Sequence, residues 1–352
     1  MSVYIAGRGL ACALGGDLAS SIAALRGGGV APAEVEVAPG FRWPVHAMAR
    51  EEGSWLERLA SAVRRVVAEC GVQPAPGMPL FVASSSLDVG YEEAGHRFAG
   101  DVQTFADVVA RAIDWPGPVV TVSTACTSAV NALLAAAECI ESGEATEALV
   151  LGIEFSNGFT VAGFGGMQLL SPDRARPFGA ERNGLVLGEA VAAVHLCAAP
   201  ARWRIAGGAN VVDGRNPTGA EARAVVAACK AALQRSGLRA ADIDLLKPQA
   251  AGSPGNDAIE AGALEQVFGT LPPMVALKGF IGHTLGAAGA AELVLLTGCL
   301  ESGVWPAVDR ALDAALGVTL ATEAPPRVRH VLLNAIGFGG GHAAMVLEDR
   351  GA

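Results

Sequence analysis

Charged residues are scarce in this sequence. Asp, Glu, Lys and Arg make up only 17% of its 352 residues, whereas hydrophobic residues make up 51%. This composition excludes a disordered chain and can supply a large core. The net charge is −10 and the pI about 5.1, which argues against nucleic acid as the main partner, because nucleic-acid-binding surfaces are basic.

Long apolar runs and metal-binding cysteine patterns are also lacking. No run of about 18 or more apolar residues could span a membrane, and the start MSVYIAGRGL lacks the apolar stretch of a secretory signal. The seven cysteines are scattered, without a CxxC or Cys/His spacing. We therefore expect a cytoplasmic, reduced protein that binds no metal and has neither a membrane nor a nucleic acid as its partner.

Strand-like and helix-like segments alternate along the chain. Apolar β-branched runs such as residues 119–122 predict buried strands, and residues 55–70 have the apolar spacing of a helix. This alternation predicts an α/β fold. A short strand is predicted at 274–277. Residues 28–54, which are rich in Pro, Gly and Glu, and residues 154–183 are predicted to be connections.

Cys126 lies where a predicted strand turns into a predicted helix. The helix spans residues 127–142, consists almost entirely of small apolar residues and is therefore predicted to be buried on all sides. Unpaired N–H groups and the positive end of the helix dipole would favour the thiolate, which is the nucleophilic form. The alternative is an inert core cysteine, since free cysteine is commonly buried.

A second small, apolar helix is predicted at 284–301, directly after His283. Its dipole would keep this histidine neutral and able to accept a proton, and Lys278 precedes the histidine by five residues. A structural histidine and a surface lysine are the alternatives. The two predicted helices end in similar segments, ECIESG and GCLESG. This repeat indicates a duplicated α/β domain in which Cys126 and His283 reach the same end of the core.

Four motifs make the sequence resemble the β-ketoacyl synthase family, which has the thiolase fold. STACTSAVNAL is similar to the family's nucleophile motif, and KGFIGHTLGAAGAAE to its lysine-and-histidine motif. ARPFGAERNGLVLGEA and NAIGFGGGHAAMVLE are similar to two further family segments, and all four occur in the family's order. The resemblance implies a duplicated, five-layered α-β-α-β-α arrangement, with halves 1–198 and 199–352 forming one compact unit.

The resemblance also implies a mechanism without a cofactor, in which substrates arrive on the phosphopantetheine of acyl carrier protein. Cys126 would take an acyl group as a thioester, and a malonyl group would then lose CO₂ and attack it. His283 would stabilise the enolate, while Lys278 would hold charge and geometry. The backbone N–H groups of Cys126 and Phe338 would form the oxyanion hole, and Phe338 would also gate the site.

One family residue is missing from this sequence. The family has a histidine at the start of a His-Gly-Thr-x-Thr-Pro motif, and Gln249 stands in its place. A glutamine amide can donate a hydrogen bond to a thioester oxygen, but it carries neither a proton nor a charge. Ala251 replaces a threonine that would hold the pantetheine arm. The implied supporting residues are Ser253, which keeps a hydroxyl, His342, which could partly substitute for the lost histidine, and Asp257 and Glu260, which are expected around Lys278.

Two functions from different classes follow. The first is a condensing acyltransferase of fatty-acid, polyketide or aryl-polyene biosynthesis, which works with acyl carrier protein as a homodimer. The second is a non-condensing partner subunit, which pairs with an active synthase in a heterodimer as chain-length factors do. The start and shortness of the chain resemble the short synthase-like subunits of aryl-polyene clusters, whereas the retained Cys126 favours the enzyme. A Cys–His acyl-transfer enzyme or thioesterase without decarboxylation is the third alternative.

Overall fold

The computed structural model describes residues 1–96 and 101–351, which form twelve strands and ten helices. The strands are β1 (Val3–Cys12), β2 (Ala33–Ala38), β3 (Phe41–His46), β4 (Leu80–Ala83), β5 (Val119–Val122), β6 (Glu147–Glu154), β7 (Leu187–Gly188), β8 (Ala190–Cys197), β9 (Trp203–Val212), β10 (Leu245–Lys247), β11 (His330–Gly337) and β12 (Gly341–Asp349). The helices are α1 (Leu18–Arg26), α2 (Trp55–Cys70), α3 (Val89–Glu93), α4 (Val102–Ala112), α5 (Ser128–Glu141), α6 (Gly158–Gly166), α7 (Ala222–Ser236), α8 (Pro254–Phe268), α9 (Lys278–Ile281) and α10 (Ala288–Ser302).

Nine strands form one mixed sheet, in the order β10-β11-β12-β9-β1-β8-β6-β4-β5. The sheet consists of two halves with the same pairing pattern. In the first half, β1–β8 and β8–β6 are antiparallel, whereas β6–β4 and β4–β5 are parallel. In the second half, β9–β12 and β12–β11 are antiparallel, β11–β10 is parallel, and Met274 forms a parallel bridge beyond β10. The halves join where the start of β1 pairs with β9.

The helices complete five layers. α2 and α4 cover the outer face of the first half-sheet, α7 and α8 cover that of the second, and α5 and α10 pack between the two. The α/β class and the duplicated, five-layered thiolase-like arrangement are therefore confirmed. The division into 1–198 and 199–352 stays a prediction, and it falls in the connection between β8 and β9.

The two central helices differ in burial. The segment Leu285–Ser302 is long and apolar enough to cross a membrane, but 83% of it is buried inside the protein, as expected for a core helix. Helix α5 is exposed along one side, at Ala135, Glu138 and Glu141. The prediction that this helix is buried on all sides is therefore wrong, because its two glutamates keep that side in water.

Two segments predicted as connections contain regular structure. Residues 28–54 include the hairpin β2–β3, in which Val35 and Val37 are half-buried and alternate with exposed glutamates. Residues 154–183 include α6, which begins where the Asn157 side chain accepts a hydrogen bond from the Thr160 N–H at 2.8 Å. This helix is rich in glycine, so its buried side chains rather than its intrinsic propensity stabilise it.

The predicted strand at 274–277 is reduced to single bridges. Met274 pairs with Leu246 of β10 and with Leu320, but the residues that follow do not extend the ladder. Leu277 already has helical angles, and α9 begins at Lys278. The prediction of a strand is wrong here because the chain turns into the short helix that precedes His283.

Gly289 of α10 marks a close contact between the two central helices. A Cβ at this position would lie 2.6 Å from Cγ2 and 2.8 Å from the backbone nitrogen of Val130 in α5. We predict that Gly289→Ala lowers the free energy of unfolding by about 1–3 kcal/mol, as overpacking of a core does. Denaturant unfolding of the purified protein measures this change.

Gly262→Ala is the matched control for that variant. Gly262 also lies inside a helix, α8, and a Cβ placed there would have no atom of the described part of the chain within 4 Å, apart from its own helix backbone and chain neighbours. Alanine is the better helix former, so this variant should keep or raise the stability. Equal stability of the two variants would contradict the contact inferred at Gly289.

Candidate functional site

Cys126 lies in the turn between β5 and α5. Ala125, with φ at 51°, adopts a left-handed conformation that turns the chain before the cysteine. Its own backbone N–H and that of Phe338, which follows β11, lie close enough to the sulfur to lower the pKa of the thiol. Gly337 permits this approach, since a Cβ there would lie 3.2 Å from the backbone nitrogens of both Cys126 and Thr127. The backbone N–H groups of Cys126 and Phe338 therefore lie together beside the thiol, and their role as an oxyanion hole stays a prediction.

The thiol itself is held in its neutral form. Cys126 is 4% exposed, and burial raises its pKa to about 11, although the N–H donors and Lys278 act in the opposite direction. The prediction that the helix start favours the thiolate is therefore wrong. Helix α5 begins only at Ser128, and the N–H group of that residue donates to the Ala125 oxygen at 3.1 Å rather than to the sulfur.

His283 and Gln249 meet Cys126 in one small cavity of about 40 Å³, which Phe338 also lines. The side-chain nitrogen of Gln249 lies 3.3 Å from Nε2 of His283. Within residues 1–96 and 101–351, neither Oε1 of Gln249 nor Nδ1 of His283 has a hydrogen-bond partner. Two buried polar groups beside the thiol therefore keep hydrogen-bonding capacity for a substrate. The predicted convergence of Cys126 and His283 is confirmed.

His283 is neutral, but the main cause differs from the predicted one. Burial holds the pKa of its imidazole well below the usual value, and the cations Lys278 and Lys247 act in the same direction. The residue precedes α10 by five positions, with a short turn of 3₁₀-helix at Leu285–Ala287 between them. Its backbone is fixed by β-type hydrogen bonds to Val186 at 2.7 Å and from Gly188 at 3.0 Å.

The carboxylates of α8 organise the loop that carries Gln249. Glu260 accepts hydrogen bonds from the N–H groups of Gln249 and Ala250, at 2.6 and 2.9 Å. Asp257 accepts hydrogen bonds from the N–H groups of Phe178, Ala251 and Gly252. Burial raises the pKa of Asp257 to about 7 and also raises that of Glu260. Their predicted place around Lys278 is wrong, because α8 follows the Gln249 loop directly and its carboxylates turn back onto that backbone.

Lys278 pairs instead with a carboxylate that the sequence analysis missed. Its ammonium lies 2.7 Å from Glu292 of α10. Lys247, at the end of β10, bonds to the same carboxylate and was missed as well. The sequence contained a signal for Lys247, which is its spacing from Gln249. Residues two apart in extended backbone share a side, and Lys247 precedes Gln249 by two positions.

Ser253 and His342 occupy different surroundings. Ser253 lines the cavity at the start of α8, and its side chain makes no capping hydrogen bond there. His342 accepts a hydrogen bond at Nε2 from the N–H of Glu221, at 3.1 Å, and donates from Nδ1 to the oxygen of Gly340, at 2.8 Å. Both ring nitrogens are occupied by backbone groups, so the prediction that His342 could substitute for the missing histidine is wrong.

A second, larger cavity of about 210 Å³ also reaches Cys126. The Phe338 ring stacks on Phe164 of α6, with centroids 5.2 Å apart and an angle of 6° between the planes, and both rings line both cavities. Phe338 therefore borders both cavities that reach Cys126, and its role as a gate stays a prediction. The larger cavity is also lined by Ser85 and Ser86, whose backbone N–H groups and hydroxyls bind the buried carboxylate of Glu154, a further residue that sequence analysis missed.

Known proteins with similar sequences were compared with the chain. Residues 85–201 match the β-ketoacyl synthase N-terminal domain, and residues 204–309 match the C-terminal domain. The chain is 31% identical to nodulation protein E of Rhizobium sp. (strain N33) over 260 residues, which are 69% of this chain and 65% of that protein. It is 33% identical to putative polyketide beta-ketoacyl synthase 1 of Streptomyces cyaneus over 279 residues, which are 72% of this chain and 65% of that protein. The chain thus spans slightly under two thirds of these relatives.

The fold was also compared with solved structures. It is similar to that of a chain in the complex of the ketosynthase ApeO with its chain length factor ApeC from Xenorhabdus doucetiae, with a TM-score of 0.87 and 24% identity. The similarity covers 99% of this chain and 98% of that one, and at this identity it shows the fold. Because the two family domains match in succession over most of its length, the chain belongs to the β-ketoacyl synthase family, a family of condensing acyltransferases.

Proposed function

We propose that the protein is itself a condensing acyltransferase, which joins an acyl group on Cys126 to a malonyl group delivered by acyl carrier protein. The observation that carries this proposal is the position of the thiol. It lies beside the backbone N–H groups of Cys126 and Phe338, in a cavity that it shares with the neutral His283 and with Gln249. Fatty-acid, polyketide or aryl-polyene biosynthesis is the setting for this chemistry.

The first half-reaction transfers the acyl group to Cys126. Its sulfur attacks the thioester carbonyl, the bond from the acyl carbon to the pantetheine sulfur breaks, and that sulfur leaves with the proton of the thiol. The N–H groups of Cys126 and Phe338 stabilise the tetrahedral oxyanion. The neutral His283 shares the cavity with the thiol and can accept its proton during attack. The arm of the carrier is held by the polar lining residues Thr218, Ser253 and Asn256, and no further cofactor takes part.

The second half-reaction forms the new carbon–carbon bond. The malonyl thioester carbonyl accepts hydrogen bonds from His283, in the tautomer protonated at Nε2, and from the amide of Gln249. The malonyl group loses CO₂, its enolate carbon attacks the acyl thioester, and Cys126 leaves as a thiolate that regains a proton. A neutral amide stabilises the enolate less than an imidazole does, so we expect this half-reaction to be slow.

A second candidate function is that of a non-condensing partner subunit like a chain-length factor. The short separation of 3.3 Å between Gln249 and His283 favours it, because these side chains can bind each other instead of a substrate. Either function fits a dimer formed at the sheet edge. Among the strands of residues 1–96 and 101–351, β5 pairs with β4 on one side only, and its Val120 is 40% exposed. The dimer is homomeric for the enzyme and heteromeric for the partner subunit.

Gln249→His distinguishes the two functions. If the chain condenses, the wild type should be acylated at Cys126 but should release CO₂ from a malonyl carrier about 10²- to 10³-fold more slowly than the variant, by comparison with the loss of one oxyanion-hole donor. Acyl-enzyme mass and CO₂ release measure the two steps, and Cys126→Ala is the control without acylation. A wild type as fast as the variant contradicts the role given to Gln249. If neither protein is acylated, the partner role replaces the enzyme.

Cys126 and Cys139 should respond differently to two reagents. Cys139 is the least buried of the seven thiols, so iodoacetamide at neutral pH should modify it before Cys126, whose pKa burial raises to about 11. An acyl thioester should instead modify Cys126, because the N–H groups of Cys126 and Phe338 stabilise the oxyanion there. Mass spectrometry of peptides gives both rates. Equal acylation of the two thiols would show that these N–H groups form no working oxyanion hole.

The edge of the sheet should form the dimer. We predict that Val120→Lys weakens association, because a lysine on an edge strand opposes pairing with another strand. Val30→Lys is the matched control, since Val30 is similarly exposed at 46% but lies outside the sheet. Light scattering at micromolar concentration measures the mass. A monomeric wild type, both alone and with a co-expressed synthase, would rule out both forms of the dimer.

A further inference from the structure

Lysine is rare in this chain. The sequence has three lysines, Lys230, Lys247 and Lys278, beside 22 arginines. Lys230 is exposed on α7, whereas Lys247 and Lys278 are 2% and 1% exposed. Both of these buried lysines bond to Glu292. A chain that uses arginine for nearly all of its positive charges therefore places two of its three lysines on one buried carboxylate.

Glu292 connects the two segments of the chain that carry Gln249 and His283. Lys247 ends β10, two residues before Gln249. Lys278 and Glu292 lie on either side of His283, on α9 and α10. The ion pair between Lys247 and Glu292 therefore ties the end of β10 to the segment that carries His283.

The buried cluster of Lys247, Lys278 and Glu292 contains a surplus of positive charge. Two ammonium groups share the single carboxylate of Glu292, and all three side chains are at most 2% exposed. Glu260 is the other carboxylate near Lys247, but its oxygens bind the N–H groups of Gln249 and Ala250 and the amide of Asn334. A buried charge without a partner of its own costs stability, so its presence at a site points to function.

We propose that Lys247 is a positioning residue, which through Glu292 holds the Gln249 loop against the His283 segment and which supplies to this site the buried positive charge that the neutral Gln249 lacks. Lys247 lies near enough to act on His283, since it contributes to the lowered pKa of that imidazole. A positive charge fixed beside the cavity stabilises the negative charge of an enolate that forms there. The kinetic effect of Lys247 rests on the proposed condensing function, whereas its electrostatic effect on His283 does not.

The small number of lysines makes the electrostatic effect directly observable. The groups that face Lys247 are Glu292 on α10, Lys278 on α9, Glu260 on α8, and His283. With ¹³C-labelled lysine, the protein should give three side-chain signals. One of them should titrate with a midpoint near pH 8, because burial lowers the pKa of Lys247 to about 8. The ring signal of His283 should shift over the same pH range, and His283→Ala identifies that signal.

Lys247→Gln removes the charge of Lys247 but can keep the contact with Glu292. A glutamine amide can still donate a hydrogen bond to Glu292, but it carries no charge. In this variant the shift of the His283 signal between pH 7 and 9 should vanish. Lys230→Gln, which removes an exposed lysine, is the matched control and should retain it. For the reaction, we expect Lys247→Gln to slow CO₂ release about tenfold, less than the loss of a direct oxyanion-hole donor. Acylation of Cys126 should change by no more than about twofold, since that step forms no enolate.

Each outcome decides a separate point. If the His283 signal does not follow the titration of any lysine signal, the proposal is overturned, and this test needs no variant that has to fold. If Lys247→Gln behaves like the wild type in both titration and CO₂ release, Lys247 is only a structural tie and the proposal is again overturned. If the wild type releases no CO₂ at all, the condensing function fails, while the titrations still decide whether Lys247 acts on His283.

Discussion

The close packing of α5 against α10 is the contact on which the rest of the molecule depends. Both helices are built from small residues, and Gly289 brings α10 against the backbone of Val130 in α5. The two half-sheets lie on either side of this pair; α5 follows the end of β5, and α10 follows the Met274 bridge and the short helix α9. The turns before the two helices therefore lie together, and they carry Cys126 and His283. A side chain at Gly289 would therefore act against the contact that holds the two turns together.

Burial, rather than the helix dipole, sets the charges in the site. It raises the pKa of Cys126 and lowers that of His283, so both groups rest in their neutral forms and no thiolate–imidazolium pair is formed in advance. The buried positive charges of Lys247 and Lys278 are paired with Glu292, which is not among the residues that line the cavity of Cys126 and His283. The positive charge of these lysines can therefore stabilise a substrate that becomes anionic, because no charged nucleophile neutralises it beforehand.

Sequence analysis found the elements whose signals are local. The predicted helix 55–70 coincides with α2, because its apolar spacing and its Ser54 cap are properties of that segment alone. The hairpin β2–β3 was missed because β3 is held by β7, about 140 residues away. At the site, motif order identified the nucleophile and the histidine. The position of Lys247 two residues before Gln249 indicated that it lies near the site, but its pairing with Glu292, 45 residues further along the chain, and the burial of the thiol are properties of the whole fold.

Cys126 and His283 occupy equivalent places in the two halves of the sheet. Each follows the outermost strand or bridge of its half and precedes the central helix of that half. Two separate copies of one half-chain, arranged in this way, would have to present the same side chain at both places, either two thiols or two imidazoles. Joining the halves through the connection from β8 to β9 removes that restriction. A nucleophile and a proton acceptor can then evolve independently across a symmetric framework.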